Sequence, residues 1–306
     1  AELSWGKRTQ RRRVALGIEM ILNLTLFLGI VLLVVAIGIR ARLEDPLLLL
    51  HEPVLAVRAM VAMYVVLPAF VMLLVWLLPL QTGVGAVLLG FAVSPVLPPW
   101  APKGAAVGGK ADYVIGLQLL STGAALVVAP LMAWIAYRAF GVAAPFDPMA
   151  MVIVLLATVV VPLAIGMGIT RFQPGPAPRV AALANRAGGV LLGLGVVVLL
   201  IVHGGAILGA IGQFTLFAIV TVVLAGLLMG HLLGGPDPGN RGALASATVL
   251  RHPAIALLLA TGVFPGHEAT VMGAVLLYLL TALLLNVPYE RWRKAVAAGQ
   301  AGGADP

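Results

Sequence analysis

ATVLRHPAIALLLATGVF, residues 247–264, has the length and apolar character of a membrane-crossing helix except that Arg251, His252 and Pro253 stand side by side within it. Proline lacks a backbone N–H and its ring opposes the preceding turn, so Pro253 disfavours helix at His252 and leaves the Val249 carbonyl without its helical partner. The segment reads as two half-helices. In hydrocarbon an unsatisfied backbone group costs several kcal/mol, so such a break survives only against protein or a watery cavity. A guanidinium at the same point must also face the interior and find a partner. Asp112 is the expected partner, because the other acids near spans are Glu19 and edge residues such as Glu52, Asp147 and Glu268.

The rest of the chain agrees with a membrane setting. Of 306 residues 61% are hydrophobic and 10% charged, and the mean hydropathy is +1.10; soluble domains carry about a quarter charged residues. There is no cysteine, which excludes a disulfide frame and thiolate metal sites. The net charge of +8 does not indicate nucleic acid, since the cations sit at span edges and in loops with few interleaved aromatics. No Walker loop, HExxH, GxSxG or acidic metal cluster occurs, so no catalytic residue, cofactor or metal is expected.

A bilayer core about 30 Å thick needs roughly 20 apolar helical residues. Runs of that kind lie at about 14–39, 54–80, 83–107, 113–140, 149–169, 188–208, 214–233, 242–264 and 271–289. The expected fold is an all-α membrane protein of about nine transmembrane helices. Lys and Arg alternate between loops: Arg40, Arg42 and Arg58, then Lys103 and Lys110, then Arg171, Arg179 and Arg186, then Arg241, then Arg291, Arg293 and Lys294. That pattern predicts a cytoplasmic C-terminus in a multi-pass protein of a bacterial inner or plasma membrane. Arg138 is an exception, and so is the Lys7–Arg13 cluster, which nine crossings put outside unless a further span precedes it.

The run 83–107 is broken as well. Pro95, Pro98, Pro99 and Pro102 exclude a continuous helix there. Each half of the chain thus has an interrupted span followed by a long helix; the span 149–169 separates the two matched sets of four spans and so inverts them, giving inverted repeats of about 14–140 and, with that span, 149–295, in one transmembrane domain covering 1–306. Paired interruptions in inverted halves point to a transporter site. The candidate site residues are Arg251, His252, Ser94, Gln118, Trp100 and Thr248 for substrate, and Asp112 and His252 for coupling or an ion pair.

With those segments in view, the chain resembles the bile acid:sodium symporter family. The likeness rests on AIGIRARLEDPLLLLHEPVLAVRAMVAMYVVLPAF from Ala36, LLGFAVSP from Leu88, STGAALVVAPL from Ser121 and RHPAIALLLATGVF from Arg251. It implies ten helices in two inverted five-helix repeats with two crossed discontinuous helices, the family's first helix being the one absent here. It also implies sodium sites, but this chain departs from them. Where relatives have two glycines and Thr-x-Ser-Asn after the Ser-Pro, it has Val96, Leu97, Pro98, Pro99, Trp100 and Ala101; where they have an acid, glutamine and asparagine, it has Ala247, Arg251 and His252.

The expected function is therefore alternating-access transport of a small organic anion across the lipid bilayer, independent of sodium. The alternatives are a non-transporting subunit or receptor with a protein partner, and a proton-coupled exchanger using Asp112 or His252.

Overall fold

The computed structural model describes residues 2–41, 49, 52–139 and 148–302, and among them it is all-helical. Arg42, Phe140 and Asp147 lie outside the described residues. The helices are α1 Glu2–Arg40, α2 Pro53–Val61, α3 Leu67–Leu77, α4 Val84–Val93, α5 Ala101–Ala106, α6 Ala111–Ala139, α7 Pro148–Leu155, α8 Val161–Phe172, α9 Ala177–Ala210, α10 Thr215–Leu233, α11 Pro238–Val249, α12 Pro253–Val263 and α13 Glu268–Gly302. Among the described residues seven stretches are long and apolar enough to cross a membrane, and the broken spans supply two shorter apolar helices, Val84–Val93 and Pro253–Val263. Several helices outrun their expected limits; α9 begins at Ala177, not 188, because the polar turn after Pro176 continues into the apolar run.

The chain folds as two compact units. The smaller comprises Ala1–Arg40 and Val161–Gly204. Gly38 of α1 faces Gly166 of α8 so closely that a Cβ on either would overlap the other's backbone. Apolar side chains gain little by leaving lipid for one another, so close backbone approach of this kind is what joins helices in a bilayer. Thr170 Oγ1 adds a hydrogen bond to the Ile39 carbonyl at 2.7 Å.

The larger unit comprises Ala41–Val160 and Gly205–Pro306. Two π-turns interrupt its helices, Ala62–Val66 between α2 and α3 and Leu156–Val160 after α7. Pro68 and Pro162 follow them, and each proline removes the N–H that the carbonyl four residues earlier, at Tyr64 or Thr158, would receive. The widened turn is the local response. Contacts sort this unit's loops into two ends. At one, Lys103 reaches Glu290, Lys110 reaches Asp237, and Arg293 reaches the Pro238 carbonyl. At the other, Gln81 Nε2 lies 3.5 Å from the Gly209 carbonyl, and Gly83 packs on Val271 and Phe264.

Candidate functional site

Two breaks meet inside the larger unit. Helix α4 stops at Val93, the chain runs extended from Ser94 to Leu97, and a 3₁₀ turn, Pro98–Trp100, leads into α5. Helix α11 stops at Val249, and α12 starts at Pro253. The extended pieces pair antiparallel: Leu97 N–H donates to the Leu250 carbonyl and His252 N–H to that of Pro95, both at 2.9 Å. Around this crossing α4 packs on α12 and α5 on α11. Gly90 meets Ala256 backbone, with no room for a Cβ between them.

Of the prolines expected to break helices, only Pro95 lies in the extended chain. Pro98, Pro102 and Pro253 occupy first-turn positions of the segments that follow, where a missing N–H costs nothing; Pro99 lies in the 3₁₀ turn. The prolines both stop one helix and start the next.

Arg251 is wholly buried here. Nε donates to the Phe91 carbonyl at 3.1 Å, and Nη2 to those of Ala92 at 2.8 Å and Met63 at 3.4 Å. These are the last carbonyls of α4, where the helix dipole is negative, and one from the first π-turn. The guanidinium carbon lies 4.9 Å from the Tyr64 ring centroid, within cation–π range. Nη1 has no partner.

The ion pair expected between Arg251 and Asp112 does not form. Asp112 is exposed at the end that bears Lys110, and its Oδ1 accepts the Tyr113 N–H at 2.7 Å. Carbonyls freed by the break satisfy the guanidinium instead.

His252 is also buried, and its Nδ1 caps α12 by accepting the Ala254 N–H at 3.2 Å. An Nδ1 that accepts leaves the proton on Nε2, which faces Thr158 Oγ1 at 3.5 Å. Protonating the ring would remove that cap and set a cation on the positive end of a helix.

The other expected residues divide. Gln118 Nε2 donates to the Val96 carbonyl at 3.0 Å, while its Oε1 has no partner among the described residues. Ser94 turns its hydroxyl back to the Gly90 carbonyl at 2.6 Å. Both belong to the crossing. Trp100 Nε1 donates to Ser246 Oγ at 3.1 Å, which ties the start of α5 to α11. Thr248 bonds within α11, to the Leu244 carbonyl at 2.7 Å, and turns its methyl to Gly226 on α10.

Sequence reasoning missed two tyrosines. Tyr64 donates to the Ser121 carbonyl at 2.6 Å. Tyr278 stacks on Phe91 at 3.9 Å and donates to the Val249 carbonyl at 3.2 Å, the group orphaned by Pro253. The available signal for Tyr64 was its place four residues before Pro68.

The model of the Sodium Bile acid symporter family matches residues 27–211. The chain belongs to that family. No curated protein matches it. The matched residues contain α4, α5 and the first break, while α11 and α12 lie beyond them. As a family member the protein is a multi-pass membrane protein of the transporter class, and its apolar helices accord with that.

Proposed function

We propose that this family member carries a small organic anion independently of sodium, with Arg251 holding permanently the place of a coupling cation. The observation that carries this reading is the buried guanidinium, ringed by main-chain oxygens and one tyrosine face, with no carboxylate bonded to it among the described residues and with Nη1 free. Converging carbonyls at a helix C-terminus are a seat for a positive charge, and arginine fills it without ever deprotonating. A second cation about 4 Å away would meet roughly 4 kcal/mol of repulsion at an effective dielectric of 20. The net charge left at the crossing favours a carboxylate, for which Nη1 offers unused donors, with Gln118 of α6 bonded to one paired segment and His252 part of the other.

Nine crossings and inverted repeats in a single transporter domain are part of the proposal, as is alternating access in which the larger unit carries the site. The cap made by His252 opposes proton coupling through that ring.

The test is uptake of labelled organic anions into proteoliposomes, with sodium replaced by potassium at constant ionic strength. Equal rates are expected. A rate that follows the sodium gradient overturns sodium independence, and no flux with any anion, from protein that remains folded, overturns transport.

A further inference from the structure

We propose that an anionic phospholipid is bound where α10 ends, its phosphate on Arg58 and Arg241 and its acyl chains along α10 and α2. Three arginines grip the chain between the last residues of α10 and the first of α11. Arg58 donates from Nε to the Leu233 carbonyl at 3.1 Å and from Nη2 to that of Leu232 at 3.4 Å. Arg241 donates from Nε to the Gly235 carbonyl, and Arg293 from Nη2 to the Pro238 carbonyl, both at 2.6 Å.

A helix C-terminus supplies about half a negative charge, far less than three guanidiniums bring. Of the nearby acids, Asp237 caps α11 and pairs with Lys110 at 3.2 Å, and Glu290 accepts from Lys103 at 3.5 Å and from Asn286; Glu52 and Asp112 line a hollow with Asp237 and are not bonded to these arginines. None of the three arginines has a salt bridge among the described residues. Arg293 is only 5% exposed, and its Nε has no partner among the described residues. The cationic site is built, and no carboxylate is bonded to its guanidiniums among the described residues.

A free anion accounts for the charge but not for the surface beside it. Leu232 is 63% exposed and Val54 69%, on the two helices that Arg58 links. Trp292, half exposed, stands 5.6 Å from the His231 ring and 5.4 Å from the Arg293 guanidinium, an amphipathic ring of the kind found at headgroup depth. Apolar wall, aromatic flank and guanidinium pair together match a lipid with an anionic headgroup.

The experiment uses the purified full chain in detergent, titrated with phosphatidylglycerol, phosphatidylcholine or inorganic phosphate, and reads the melting midpoint and the lipid retained in native mass spectrometry. Phosphatidylglycerol should bind and raise the midpoint, and the other two should not. Arg58→Gln with Arg241→Gln should weaken phosphatidylglycerol about thirtyfold, roughly fivefold per cation lost. Arg58→Lys with Arg241→Lys should keep most of that affinity, and Arg171→Gln in the smaller unit should keep all of it. If the glutamine variant melts lower yet retains the full phosphatidylglycerol gain, the arginines are helix caps only and the proposal falls. It falls equally if phosphatidylcholine or inorganic phosphate reproduces the gain.

Discussion

At the residue scale, Arg251 combines two roles usually filled by different groups: it terminates α4 electrostatically and holds a positive charge among buried carbonyls. Each charge-assisted bond to a carbonyl contributes about 1.5–3 kcal/mol, and removing the donor leaves buried acceptors bare. Arg251→Ala should therefore lower the melting midpoint and abolish anion binding. Arg251→Lys keeps the charge but not the fork, so it should regain stability in part, with weakened binding. The assignment is checked by anion binding to the folded variants. An Ala variant that melts normally and binds anion with unchanged affinity removes Arg251 from the site. The partners of this residue are not legible in the sequence, because they are main-chain oxygens; a counter-ion argument points to Asp112, whereas no acid is bonded to Arg251 among the described residues. Tyr64 and Tyr278 were hidden for a related reason, since a tyrosine within an apolar span shows no sign of what its hydroxyl meets.

At the element scale, proline chemistry made both breaks readable, and the crossing lies where those breaks fall. How the half-helices are held was less evident. Helix α11, which delivers Arg251, begins at Asp237, whose Oδ1 accepts the Gly239 and Asn240 N–H groups at 2.8 and 3.0 Å. Burial raises the Asp237 carboxyl pKa, but the Asn240 amide, the Lys110 ammonium and the Gly239 amide outweigh it and hold the group below its usual value. A carboxyl depressed on folding stabilises the fold above its unfolded pKa of about 3.9 and loses that contribution as the pH falls through the folded value. Asp237→Ala should cost about 1 kcal/mol, as loss of a helix cap does. In melting curves, Asp237→Asn should flatten the acid limb below about pH 4 relative to the unsubstituted chain. An unchanged acid limb would show that the cap does not titrate with folding. The π-turns were not anticipated at all. A proline after an aromatic or threonine-bearing turn reads as an ordinary kink until the widened turn is seen to bring Tyr64 to Arg251 and Thr158 to His252.

At the scale of the whole molecule, the alternation of cations along the chain has a spatial counterpart in the larger unit. Lys103, Lys110 and Arg293 meet partners at one end, whereas the loops around Gln81 and Gly209 meet at the other and carry no lysine or arginine. Loops an even number of expected crossings apart fall together, as alternating passage through a membrane requires. On the positive-inside bias, the expectation is that the cationic end faces the cytoplasm. Because the chain has no cysteine, single cysteines report sidedness without background. His267→Cys, exposed beyond α12, and Lys294→Cys, exposed on α13 beside Arg293, lie toward opposite ends of one long helix. In intact cells a membrane-impermeant maleimide should label the cysteine at 267, and it should label the one at 294 only after permeabilisation. The reverse pattern inverts the orientation but leaves the fold standing. Equal labelling of both in sealed cells would mean that α13 does not cross the bilayer, and the transporter reading would fall with it.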